Sequence, residues 1–265
     1  MFVTELLAMG AVAGFLAGMF GIGGGMLMVP LLMLIFGARG FPAAHVLKIA
    51  VATSLATILF TSAASVRAHQ ARGAVRWDIV RWLAPGIVVG AWAGAQLARV
   101  MPARLLALLF AVFVGYSALQ MLIDRKPKPS RELPGAAGLG ATGSLIGVLS
   151  ALVGAGGAFV SVPFMIWCNV PIHHAVGTSA ALGFPIALAG TVGYVIAGWN
   201  LPSLPAAAVG FVYLPALVVI SIASMAMARY GVAVAHKLQM RQLRRLFAAL
   251  LVVLATVMLA KAVNA

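Results

Sequence analysis

Two glycine clusters stand where backbone alone could do chemistry. Gly21-Ile22-Gly23-Gly24-Gly25 and Gly154-Ala155-Gly156-Gly157 both lie inside strongly apolar sequence. Each glycine in a helix interior costs about 1 kcal/mol relative to alanine, and glycine admits positive φ. Such a run breaks a helix and exposes backbone amides. The segment after each break, Met26 to Leu34 and Phe159 to Cys168, is expected to begin a new helix. Free N–H groups at a helix start favour an anion. Bare backbone at membrane depth persists only where it is buried or lines a cavity. Thr53-Ser54 and Thr178-Ser179 follow the two clusters. Their hydroxyls can donate to an anion or to a carbonyl of their own helix. The predicted substrate-binding set is therefore Gly21, Gly23, Gly24, Gly25, Thr53, Ser54, Gly154, Gly156, Gly157, Thr178 and Ser179.

These residues belong to an internal duplication. Gly14 to Pro30 aligns with Gly147 to Pro163 at an offset of 163 − 30 = 133, with Gly21/Gly154, Gly23/Gly156 and Gly24/Gly157 among the identities. Ala50-Val51-Ala52-Thr53-Ser54 matches Ala175-Val176-Gly177-Thr178-Ser179. The second copy carries Ala158 for Gly25 and Ser161 for Met28, so the two half-sites are chemically unequal. Pairing across a repeat is what separates these clusters from ordinary packing glycines. Gly10, Gly14 and Gly18, like Gly86, Gly90 and Gly94, recur every fourth residue and read as close helix packing. Pro30 and Pro163 are expected to kink or end the half-helices.

Other side chains are sparse. His173 and His174 precede the second Thr-Ser pair and align with Lys48 and Ile49. His173, His174 and Lys48 are predicted to relay protons or to meet an anion at the mouth of a path. Glu5, Asp78, Asp124 and Glu132 are the only acids, and all fall at ends or in loops. A proton pump or cation carrier usually buries a carboxylate. No zinc-protease, nucleophile-elbow or phosphate-loop motif occurs, and Cys168 is the only cysteine. The sequence therefore predicts neither an enzyme, a metal site nor a cofactor. The alternative is a cation or metal transporter or channel that uses broken-helix carbonyls with His173 and His174.

The elements that must hold these residues are membrane helices. Mean hydropathy is +1.10 and only 8% of the 265 residues are charged, against about a quarter in a soluble domain. Apolar runs near the length needed to cross the hydrocarbon core recur, without the short alternation of a β-barrel. The net charge of +14 lies in loops such as 67–81, 125–131 and 229–245. That placement is a topology signal, not a nucleic-acid surface. The start has Glu5 and no nearby Lys or Arg, unlike a cleaved signal. Expected segments are 4–20, 24–36, 46–66, 79–98 and 104–123, then 136–153, 157–168, 174–197, 204–228 and 243–263. The boundaries give a first repeat over 1–123, a charged, Pro-rich cytoplasmic linker over 124–134, and a second repeat over 135–265.

Charge bias sets the topology. If 136–168 crossed once, the basic stretch with Arg229, Lys237, Arg241, Arg244 and Arg245 would lie outside. If 136–168 is a re-entrant hairpin, that stretch lies inside with loop 67–81, and loop 198–203, which lacks Lys and Arg, lies outside. Equivalent loops then carry opposite bias, as inverted-topology repeats should. The expected fold is all-α and integral to the membrane. It has two inverted repeats of about five segments, the first two of each forming a Gly-broken re-entrant hairpin. Both termini are expected to be periplasmic.

At these motifs the chain resembles the TauE/SafE family of sulfite and organosulfonate exporters. The likeness rests on Gly18 to Pro30, its second copy ending in Val162-Pro163, and the two Ala-Val-x-Thr-Ser stretches. His69, Gly73, Trp77, Gly193-Tyr194 and Gly198-Trp199 extend it over nearly the whole chain. The resemblance implies a multi-pass permease of the bacterial inner membrane that moves a small anion, sulfite or an organosulfonate such as sulfoacetate. The implied partners are that anion, the lipid bilayer and, as a further candidate, a second copy in a homodimer.

Overall fold

The computed structural model describes residues 2–20, 25–123, 131–235 and 240–263. Within them run α1 (Phe2–Phe20), α2 (Gly25–Ala38), α3 (Val46–Gln70), α4 (Trp77–Val100) and α5 (Ala103–Ile123). They are followed by α6 (Ala136–Val153), α7 (Ala158–Trp167), α8 (Ile172–Ala197), α9 (Leu214–Ala235) and α10 (Met240–Val263). Helices α3, α4, α5, α6, α8 and the Leu214–Gly231 part of α9 are long and apolar enough to cross a bilayer. The chain is a multi-pass, helical membrane protein.

One sequence expectation needs correction. The segment expected over 204–228 begins ten residues later, at Leu214. Before it, β1 (Ala208–Val209) and β2 (Val212–Tyr213) pair antiparallel around Gly210. Pro205 removes an amide donor. Gly210, at φ +54°, packs so tightly on the Val195 backbone that a side chain would collide. Of the two outcomes expected for Pro30 and Pro163, the prolines do not end their helices: each lies inside one, as the sixth residue of α2 or α7.

Helices α3 and α8 form the centre. They are apolar on all sides and more buried than the other spans, as expected of core helices. They run antiparallel. The His174 ring at the start of α8 lies 3.2 Å from the Ala74 oxygen beyond the end of α3. At the opposite end, the His45 ring before α3 lies 5.7 Å from the Phe211 ring beyond the end of α8, tilted by 53°.

The outer helices pack reciprocally. Helix α1 lies along α9, and α6 lies along α4. Gly14 and Gly18 meet the backbone of Ser224 and Ala228, while Gly86 and Gly90 meet that of Gly140 and Ser144. Small residues let backbones approach in the absence of a hydrophobic drive, and Ser224 Oγ donates to the Gly10 oxygen at 2.9 Å. The glycines read as packing residues therefore do pack. Large apolar side chains such as Val89, Val112, Leu119 and Ile222 remain exposed, as a lipid-facing surface requires.

The ends of each broken helix pair come together. Arg39 at the end of α2 pairs with Glu5 near the start of α1 at 3.3 Å. Beside the start of α6, the Arg131 N–H donates to the Trp167 oxygen at 3.3 Å, and its guanidinium covers the Trp167 ring at 4.7 Å.

Candidate functional site

The second glycine break is a tight reversal between two helices. Gly154 closes α6 with φ +67°, its N–H donating to the Ser150 oxygen. Gly157 opens α7 with φ +76°. Both conformations penalise any residue with a Cβ. Val160 and Ser161 make the first helical bonds of α7, both to the Gly157 oxygen. The preceding amides, of Ala158 and Phe159, face back into the break as at any helix start.

The start of α2 meets the second break. Gly25, the first residue of α2, lies against the Gly154 carbonyl, and a Cβ on Gly25 would also sit 2.9 Å from the Ala155 Cα. Gly21, Gly23 and Gly24 lie outside the described residues. Gly156 is buried beside Gly183: a Cβ on Gly183 would lie 3.7 Å from the Gly156 oxygen and 3.5 Å from the Ser62 Cβ.

The four hydroxyls read from the sequence are all buried, yet they have different work. Ser54 Oγ donates to the Gly154 oxygen at 3.0 Å, tying α3 to the break. Ser179 Oγ shares a 2.8 Å bond with Ser161 Oγ of α7. Thr53 Oγ1 accepts the Tyr213 N–H at 3.1 Å, and Thr178 Oγ1 accepts the Arg76 N–H at 3.0 Å. Each threonine therefore holds the residue just before a helix of the other half, α9 or α4.

Ser150 was not singled out from the sequence. It is 2% exposed and its Oγ has no partner. It faces Gly157, whose Cβ would lie 3.0 Å from that oxygen. Its signal was faint, since the aligned residue of the first copy is Ala17. Ser161 was noted only as a departure from the first copy.

The mouth residues do not converge. Lys48 is 7% exposed in the first turn of α3, and its Nζ donates to the Arg99 oxygen at 2.8 Å. His174 is half-buried against Ala74, and His173 is exposed beside it. About 33 Å of helix separates Lys48 from the Ala74 end of α3. Glu5, Asp78 and Glu132 are exposed, so no carboxylate is buried among the described residues. No group of three metal-ligating side chains occurs among them either. Backbone amides at a helix start and neighbouring hydroxyls, with no acid beside them, can solvate an anion.

The family model for sulfite exporter TauE/SafE matches residues 6–258. A Haemophilus influenzae protein named "Probable membrane transporter protein" is 34% identical over 98% of this chain and 99% of its own. A Methanocaldococcus jannaschii protein with the same form of name is 25% identical over 96% and 94% of the two chains. One from Bacillus subtilis, YdhB, is 31% identical over 70% and 76%. No solved structure matches.

Proposed function

This chain belongs to the TauE/SafE family of membrane transporters and is not an enzyme, and from that premise we propose that it exports a small oxyanion, sulfite or an organosulfonate such as sulfoacetate. The observation that carries the reading is the contact of Gly25 with the second glycine break, beside a buried, unpartnered Ser150 hydroxyl, with no buried carboxylate among the described residues.

In this reading the anion is held by the amides of Ala158 and Phe159 and by the Ser150 hydroxyl. The Ser161–Ser179 pair supplies one further proton, because only one of its two hydroxyls donates within the pair. Gly154, Gly156 and Gly157 give the backbone its turn. Gly21, Gly23, Gly24 and Gly25 form the matching half-site. Ser54, Thr53 and Thr178 fix the breaks and the two halves against each other, and their remaining lone pairs and protons border the site. His173, His174 and Lys48 stand at two separate mouths.

Alternating access follows from two inverted halves, 1–123 and 135–265, joined by the 124–134 linker. Antiparallel α3 and α8, reciprocal packing of α1 on α9 and α6 on α4, and the closed ends of both broken pairs support that reading. It places the protein in the bacterial inner membrane with both termini periplasmic and both basic loops inside.

Melting of the detergent-purified protein against a panel of anions tests the substrate class. A specific ligand stabilises by RT ln(1 + [L]/Kd). Concentration-dependent stabilisation by sulfite or sulfoacetate, and not by phosphate or chloride, is the expected result. Stabilisation by zinc alone would overturn the anion reading.

A further inference from the structure

A cavity of about 260 Å³ opens between α1, α3 and α9, away from the glycine break of α6 and α7. Gly18, Thr61, Ser65, Ala68, Arg72 and Arg229 are among the residues that line it. We propose that this cavity is the inward mouth of the transport path and that it receives an organosulfonate, a sulfonate on a short apolar body. The assignment rests on the anion-transport reading above.

Four observations converge. The lining includes Arg72 and Arg229 and no carboxylate. The Arg229 guanidinium lies over the Tyr230 ring at 4.8 Å, a neutral partner that leaves its charge in place. The charge on the walls is therefore of one sign and concentrates anions. Arg72 comes from the first basic loop and Arg229 opens the last one, although 157 residues separate them, and the fold brings both to one cavity. Ser65 Oγ is buried and has no partner. Thr61, by contrast, donates to the Ile58 oxygen of its own helix at 3.3 Å. The cavity also lies one packing layer from the second break. Ser62, adjacent to Thr61, neighbours Gly183, which neighbours Gly156 of the second break.

The corresponding place in the other half is shut. Thr61, Ser65 and Ala68 of α3 align with Ile186, Gly190 and Gly193 of α8, at the offset of 125 that relates Thr53 to Thr178. There Ala91, Ala151 and Ala189 form one buried cluster, and Gly193 closes on Ala95 at 2.6 Å from its ideal Cβ. Open on one side and closed on the other is the form an alternating-access carrier takes when it faces one compartment. The walls also favour an organic ion. Ala64, Met225 and Ala228 make most of the lining apolar, and the volume exceeds what an inorganic oxyanion of a few atoms fills.

Thiol labelling tests the mouth. The one native cysteine, Cys168, is buried and does not line the cavity, so Cys168→Ser with Ala68→Cys leaves a single reporter. A methanethiosulfonate bearing a sulfonate is compared with its trimethylammonium counterpart in vesicles of each orientation. The sulfonate reagent should react roughly tenfold faster, only from the face bearing loop 67–81, and ethanesulfonate should slow it. Arg72→Gln with Arg229→Gln should erase that preference, while lysine at both positions retains it and controls for folding. Equal rates for the two reagents, no reaction at all, or a preference that survives both glutamines would overturn the assignment. Flux of sulfoacetate through the parent protein is measured in parallel. Flux without a charge preference sinks the cavity assignment and leaves anion transport standing. A charge preference without flux of any anion overturns anion transport and the mouth assignment with it, and leaves only an anion-attracting cavity.

Discussion

Gly25 lies against the carbonyl of Gly154 so closely that no side chain fits between them. These residues are 129 positions apart and open or close different helices, yet they make the centre of the molecule one joint. A Cβ at Gly25 forces backbone apart, and overpacking of this kind costs about 1–3 kcal/mol. Gly25→Ala should lower the melting temperature and abolish flux together. An unchanged melting curve with full flux would show that the two breaks do not depend on each other.

Ser150 offers a substitution with opposite signs for stability and function. Its buried hydroxyl has no partner, and an unsatisfied buried group costs about 1–3 kcal/mol. Ser150→Ala should therefore leave the fold as stable as the parent or more so, while weakening anion binding severalfold. Melting with and without sulfite separates the two effects. A variant that is destabilised and still binds would make Ser150 a structural residue only.

Thr53 and Thr178 predict a symmetric result. Each accepts one backbone N–H across the halves, from Tyr213 and Arg76 respectively. Valine keeps the shape but strands that N–H, at a cost near 1–2 kcal/mol. Thr53→Val and Thr178→Val should destabilise by similar amounts. As the two bonds lie at opposite ends of the α3–α8 pair, the double variant should be close to additive.

Much of this was legible in the sequence, because repetition and hydropathy are local signals. The glycine clusters, the Thr-Ser pairs and nine of ten segment starts could be placed from spacing. The β1–β2 turn was missed because Ala206 to Tyr213 is as apolar as a helix, and only Pro205 and Gly210 hint otherwise. The partners of the hydroxyls could not be read. Ser54 meets Gly154, and Thr178 meets Arg76, about one hundred residues away, and no periodicity encodes a contact between halves. The Arg72–Arg229 cavity was hidden for the same reason, since each arginine alone is only part of a basic loop.

His45 supplies a pH dependence. Burial, and then the charge of Lys48, holds its imidazole below the ordinary value of 6.5. The unfolded chain therefore binds a proton at a higher pH than the native one does. Stability rises with pH wherever the unfolded state holds more protons. The contribution is thus complete above about pH 6.5 and is lost as pH falls toward the native value. Melting temperature should drop between pH 7 and 5, and His45→Gln should flatten that slope. An identical slope in the variant would place the titration at another group.

The proposed site also bears on the driving force. With no buried carboxylate among the described residues, the binding region has no acidic proton carrier to couple to. An inside-negative potential then suffices for export, at about 2.3 kcal/mol per charge per 100 mV. For a monoanion that corresponds to roughly a fiftyfold gradient. In proteoliposomes with a potassium-diffusion potential and no pH gradient, ethanesulfonate should move toward the positive side until its gradient balances the potential. Taurine carries no net charge at pH 7 and should ignore the potential. Reversing the potential should reverse ethanesulfonate flux. Movement that follows an imposed pH gradient and disregards the potential would instead assign the coupling to a proton, and would return attention to His174 beside Ala74.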